Sequence, residues 1–157
     1  MKPRLLFALS LMFALTIPAH GRESIDPLLQ AASKALDHYQ QLAPGIHCED
    51  ATTKGRRDDC KIALDDLKSR VLEAKAEIAL YRRLPSPQAV DLFDTYQVYR
   101  RVMDAVDRLN FAPDFYGEHN QQLFAEAYNT FVKITGWFGG VVRDTIADAG
   151  KCSEHRD

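Results

Sequence analysis

Residue types that carry chemistry are scarce in this chain. Three cysteines, one tryptophan and five histidines are spread over 157 residues. No C-x-x-C occurs, which removes a paired redox thiol, and no C-x-x-C-H, which removes covalently attached haem. Glu-x-x-His is absent, so the di-iron site that some helical bundles carry has no ligands. Neither a glycine-rich phosphate loop nor a Ser-His-Asp arrangement is present. No catalytic residue and no cofactor is therefore expected, and the chain reads as a non-enzyme. Charge of one sign is missing too: 20 Lys and Arg stand against 22 Asp and Glu. Without a basic excess there is no field for a nucleic-acid partner.

Long apolar runs are limited to one. Met1-Lys2-Pro3-Arg4 is basic, residues 5–17 are 13 uncharged residues (LLFALSLMFALTI), and Pro18-Ala19-His20-Gly21 ends them with small and helix-breaking residues. Basic, apolar, then small is the order of a secretory signal. The run falls short of the roughly 17–20 residues that cross a bilayer, so no membrane span is expected in the mature chain. Cleavage after Ala19 or after Gly21 fits equally. Residues 1–21 read as signal peptide and 22–157 as the mature domain, exported to the periplasm or the extracellular space. Removing the signal takes Lys2 and Arg4 and no acidic group, leaving 18 basic against 22 acidic side chains, a formal charge of −4.

The mature chain is patterned for helices with short breaks, and no stretch alternates as a strand would. Asp26-Pro27 is expected to open the first helix, as N-cap and first helical residue. Leu28, Leu29, Ala32, Ala35, Leu36, Tyr39 and Leu42 follow at three- and four-residue spacing, and Pro44-Gly45 stops them. Residues 43–57 read as a loop. The second helix is expected from Asp58-Asp59, with a heptad seam of Cys60, Leu64, Leu67, Val71, Ala74, Ile78 and Tyr81. Ser86 and Pro87 are expected to open the third, burying Val90, Phe93, Tyr96, Tyr99, Val102, Met103, Val106 and Leu109. After a break at 111–118, the fourth starts near His119-Asn120. It carries Leu123, Phe124, Ala127, Tyr128, Phe131, Ile134, Trp137, Phe138, Val141 and Ile146, and Gly150 closes it. The first helix is expected to be shorter than the second and third. The fold class is all-α, an antiparallel up-down four-helix bundle.

Helix direction helps to pair the cysteines. Cys48 and Cys60 lie at one end of such a bundle, whereas Cys152, after the fourth helix, belongs at the other, so a Cys48–Cys60 disulfide is favoured. Connectivity is not fixed by sequence, and Cys48–Cys152 stays open. Cys152 is left as a free thiol or a link to a second copy. His47, Glu49, Asp50, Asp58 and Asp59 surround the pair, but their spacing matches no zinc site, and a disulfide removes the thiolates.

Two features are candidates for ligand or partner contact. Thr135-Gly136-Trp137-Phe138-Gly139-Gly140 places three glycines inside a helix, at about 1 kcal/mol each relative to alanine. Close packing by Tyr96 or Tyr99 of the facing helix, a kink, or a hinge exposing Trp137 and Phe138 are the three accounts of that cost. The second feature is a set of inward-facing tyrosines, among them Tyr96, Tyr99 and Tyr128, able to line a partly polar interior. The primary reading is an exported interaction or accessory protein, self-associating through Cys152 or the Gly136 to Gly140 segment. The alternative is a small-molecule or peptide binder using the tyrosine-lined interior and the Trp137-Phe138 region.

Overall fold

The computed structural model describes residues 19–110 and 118–154, and the side chains of 25–109, 121–151 within them. Four helices occur among these residues: α1 (Ala19–Leu42), α2 (Lys54–Arg83), α3 (Ala89–Asn110) and α4 (Glu118–Glu154). Each packs on its neighbour in sequence, and α1 closes the ring against α4. That arrangement is an antiparallel up-down four-helix bundle. The core runs along its axis through Leu28, Leu36 and Tyr39 of α1, Leu67 and Ile78 of α2, Tyr99 and Leu109 of α3, and Phe131 and Phe138 of α4. Among the described residues no helix is long and apolar enough to cross a membrane.

The α2 seam is buried at every expected position, from Cys60 to Tyr81, with Ala63 beside it. Its start differs from the expectation. Thr53 is extended, and its hydroxyl accepts from the Arg56 amide at 3.3 Å, so the helix begins at Lys54 rather than at Asp58. A threonine N-cap offsets one orphan amide, which outweighs the charge preference of Asp58 and Asp59 for a first turn. The segment before it is not an open loop. Two single 3₁₀ turns, Ala43–Gly45 and Cys48–Asp50, bring Ala43, Ile46, Cys48 and Ala51 into the core. Arg57 Nη1 donates to Ala51 O at 2.9 Å and holds the segment to α2.

α1 extends upstream of Asp26-Pro27, so Pro27 sits inside the helix and Ile25 joins the core. The missing amide of Pro27 leaves the Glu23 carbonyl without its helical donor. α1 has 24 residues counted from Ala19, inside the expected signal segment; it is close in length to α3, which has 22, and shorter than α2, which has 30.

α3 starts at Ala89, not at Pro87. Gln88 is its cap: the Asp91 carboxylate accepts from the Gln88 amide at 2.6 Å, and Gln88 O accepts from the Asp91 and Leu92 amides. An acidic residue reaching back to the cap is half of a capping box. The buried stripe is Leu92, Thr95, Tyr99, Val102, Val106 and Leu109, an alternation of threes and fours, with Ala105 beside it. Val90 and Phe93, expected inside, are 58% and 39% exposed. Thr95 takes the place a hydrophobe would hold, because its hydroxyl bonds to Asp91 O at 2.8 Å and enters the core satisfied. α4 runs on through Gly150 to Glu154, and Ile146 lies on its outside. The break expected at 111–118 falls outside the described residues except for Glu118, which is helical.

Candidate functional site

The expected disulfide is present. Cys48 and Cys60 are joined, with Cα atoms 5.5 Å apart, and both residues are buried. The bond fastens the second 3₁₀ turn to the first turns of α2 and covers that end of the bundle. It consumes both thiols, and among the described residues no three His, Cys, Asp or Glu side chains gather closely enough to hold a metal ion. Cys152 lies in the last turn of α4, but its side chain is outside the described residues.

Three of the five contact candidates are brought together in the core. Tyr99 stacks on Phe131 with ring centroids 4.6 Å apart and tilts against Phe138 at 5.6 Å. Tyr96 tilts against Phe138 at 5.4 Å. Tyr39, from α1, meets Phe131 edge-on at 5.5 Å and Phe124 at 5.6 Å. The rings form one continuous ladder along the α1–α3–α4 seam, so tyrosine and phenylalanine faces fill one another rather than frame a space there. Offset and edge-on pairs of this kind each contribute about 0.5–1.5 kcal/mol beyond area burial. Burial drives the Tyr99 phenol far above its ordinary pKa, and the Tyr39 phenol beside it pushes the same way, while the Thr135 hydroxyl opposes them.

Tyr128 lies apart from the ladder. It is half-buried, and desolvation together with the neighbouring Asp107 carboxylate of α3 raises its pKa. Trp137 also lies apart, on the outside of α4 and 46% exposed.

The glycine segment divides the same way. α4 is uninterrupted from Gly136 to Gly140, and no glycine in the described chain has a positive φ. A Cβ at Gly139 would stand 2.9 Å from the Tyr96 hydroxyl oxygen and 3.3 Å from its ring carbon Cζ. Gly139 is thus a seat for Tyr96, the close-packing account. Nothing lies within 4 Å of a Cβ added at Gly136 or Gly140. Val132, 41% exposed, Gly136 and Gly140 follow one another at four-residue spacing, a row that lies to one side of Trp137 on the helix surface.

A groove opens between α1 and α2. Its volume is about 260 Å³, and it is lined by Tyr39, Gln40, Ala43, Pro44, Leu67, Lys68, Val71 and Leu72. Tyr39, Ala43, Leu67 and Val71 form a buried floor, and Leu72 is 58% exposed at the rim. Gln40 of the lining accepts from Lys75 Nζ through Oε1 at 2.8 Å, and the same ammonium donates to Asp37 Oδ1 at 2.6 Å. The signal for it was Leu72, an apolar residue off the α2 seam and one turn from Lys68. Elsewhere the helices are tied by Asp66, which accepts from Arg70 on its own helix and from Arg108 of α3 at 3.0 Å. In comparisons with known proteins, no family model, no curated protein and no solved structure matches the chain.

Proposed function

We propose that this is an exported, non-enzymatic helical-bundle protein that works through surface contacts, with the outer face of α4 as its contact surface. The observation that carries the reading is Trp137, the single tryptophan, half-exposed between Gly136 and Gly140. Tryptophan is enriched at the centres of protein interfaces, where a large rigid ring fills a pocket on the partner. Two glycines that serve no packing role within the chain, each costing about 1 kcal/mol of helix propensity, are accounted for by a neighbour that approaches the backbone there. Export is supported by the order of residues 1–21 and by the disulfide, which persists in an oxidising compartment.

A second copy of the chain is the first partner to test. Light scattering on sized protein is expected to show a concentration-dependent dimer, with Trp137 emission shifting to shorter wavelength as it forms. Trp137→Ala is expected to leave the melting temperature of the monomer within about 2 °C, since a half-exposed side chain contributes little to folding, while weakening association at least tenfold. A chain that stays monomeric at high concentration, with a Trp137 spectrum typical of water throughout, refutes self-association at this face.

A further inference from the structure

We infer that the groove between α1 and α2 binds a medium-chain monocarboxylate, its head at Lys68 and its apolar body over Leu67, Val71 and Leu72. The site involves no residue of α4 and stands independently of the contact surface proposed above.

The groove exists because the chain leaves α1 early. Ala43 and Pro44 take a 3₁₀ turn where another helical turn would have continued along α2. Ala43 adds only a methyl group to the lining beside Leu67 and Val71, which leaves the space over them open. At about 30 Å³ for each water-sized unit, 260 Å³ holds roughly nine such units, the size of an eight-carbon body with its head at the edge. The volume lies just below the range of about 300–1,000 Å³ usual for ligand sites and suits a fragment-sized molecule.

The polar groups at the rim select the head. Gln40 gives its carboxamide oxygen to Lys75, so what it has left for the groove is the NH₂. Asp37 is engaged by the same lysine at 2.6 Å. Lys68 is half-exposed, and its partner Asp65, one turn back on the same helix, stands 3.8 Å away and is 79% exposed. A pair that long and that solvated holds the ammonium weakly. The rim therefore offers donors and one loosely committed cation above an apolar floor. That complements an anion joined to an apolar chain. A cationic amphiphile would meet Lys68 head-on, and a neutral alcohol would forgo the charge-assisted bond.

The probes are octanoate, 1-octanol and octylamine, titrated into the full disulfide-intact chain and followed by amide chemical shifts. Octanoate is expected to bind saturably with Kd of about 1 mM or tighter, the range open to a fragment. Its shifts are expected on residues 39–44 and 67–72. Octylamine is expected to show no saturable effect. Lys68→Met, at a half-exposed position that the fold tolerates, should weaken octanoate by roughly fivefold, the upper end for a pair of that exposure, and leave octanol unchanged. Leu72→Asp, also at the rim, should abolish octanoate binding while the amide spectrum stays folded. The inference is overturned if octanoate shifts map elsewhere or never saturate, if octylamine or octanol binds as well as octanoate, or if Lys68→Met leaves octanoate affinity unchanged.

Discussion

Alanine placed in turn at Gly136, Gly139 and Gly140 separates what a glycine does in this helix from what it costs. All three lie in the continuous interior of α4 with ordinary helical φ. Each substitution gains about 1 kcal/mol of helix propensity, because alanine has less backbone freedom to lose. At Gly136 and Gly140 the new methyl group meets nothing within 4 Å, so that gain should appear in full. For a domain of this size it corresponds to a rise of about 4 °C in melting temperature. At Gly139 the methyl group would stand 2.9 Å from the Tyr96 hydroxyl and 3.3 Å from Cζ. Tyr96 is braced against Phe138 at 5.4 Å, so its ring cannot withdraw without disturbing the ladder. Overpacking of this sort costs about 1–3 kcal/mol, which cancels or exceeds the propensity gain. Gly139→Ala is thus expected to be neutral to about 2 kcal/mol destabilising. Thermal and urea denaturation, at concentrations where the midpoint no longer depends on protein, give the three values. A Tyr96→Phe background removes the nearest contact, and there the deficit of Gly139→Ala relative to its neighbours should fall below about 1 kcal/mol. Three alanine variants within about 0.5 kcal/mol of one another would falsify the assignment of Gly139 as the seat of Tyr96.

Other perturbations test the remaining features. Removing the Cys48–Cys60 bond, which spans 12 residues, by replacing both cysteines with serine should cost about 3 kcal/mol, read from the urea midpoint; an unchanged midpoint would mean the 3₁₀ turns hold without it. Thr53→Ala should destabilise by about 1 kcal/mol and expose the amide of Arg56 to faster hydrogen exchange, whereas a start at Asp58 predicts no effect there. Tyr99 is neutral in the fold with its pKa raised by burial, so the unfolded chain releases its proton first as pH rises. Its contribution is fully present below about pH 10, the unfolded value, and is lost progressively above it. The urea midpoint should therefore fall from about pH 10 upward, and fall less steeply in Tyr99→Phe; equal slopes count against a buried phenol.

Legibility in the sequence followed how much of the signal was local. The α2 seam could be read in full because every member is apolar and the helix has one buried face. The α3 stripe could not. Thr95 is polar by type and buried by virtue of its bond to Asp91 O, and skipping it rotates the apparent face toward Val90 and Phe93. Caps supplied by Thr53 and Gln88 moved two helix starts by a few residues, since a cap depends on backbone geometry that charge and proline preferences only approximate. The five contact candidates were a mixed set for a similar reason. Tyr96, Tyr99 and Phe138 have the composition of a pocket lining, but composition does not say whether facing rings leave a gap or close it.

By itself the sequence determined the helical period, the breaks at Pro44-Gly45 and 84–87, and the apolar faces of α1 and α2; it favoured the Cys48–Cys60 pair, which the fold then made. These are properties of spacing along the chain, and spacing is what a helix turns into a face. Only the tertiary structure decided which aromatic rings stack, that Gly139 seats Tyr96 while Gly136 and Gly140 face outward beside Trp137, and that a groove opens between α1 and α2. Each of those depends on the distance between side chains from different helices, set by how the helices settle against one another to fill the core.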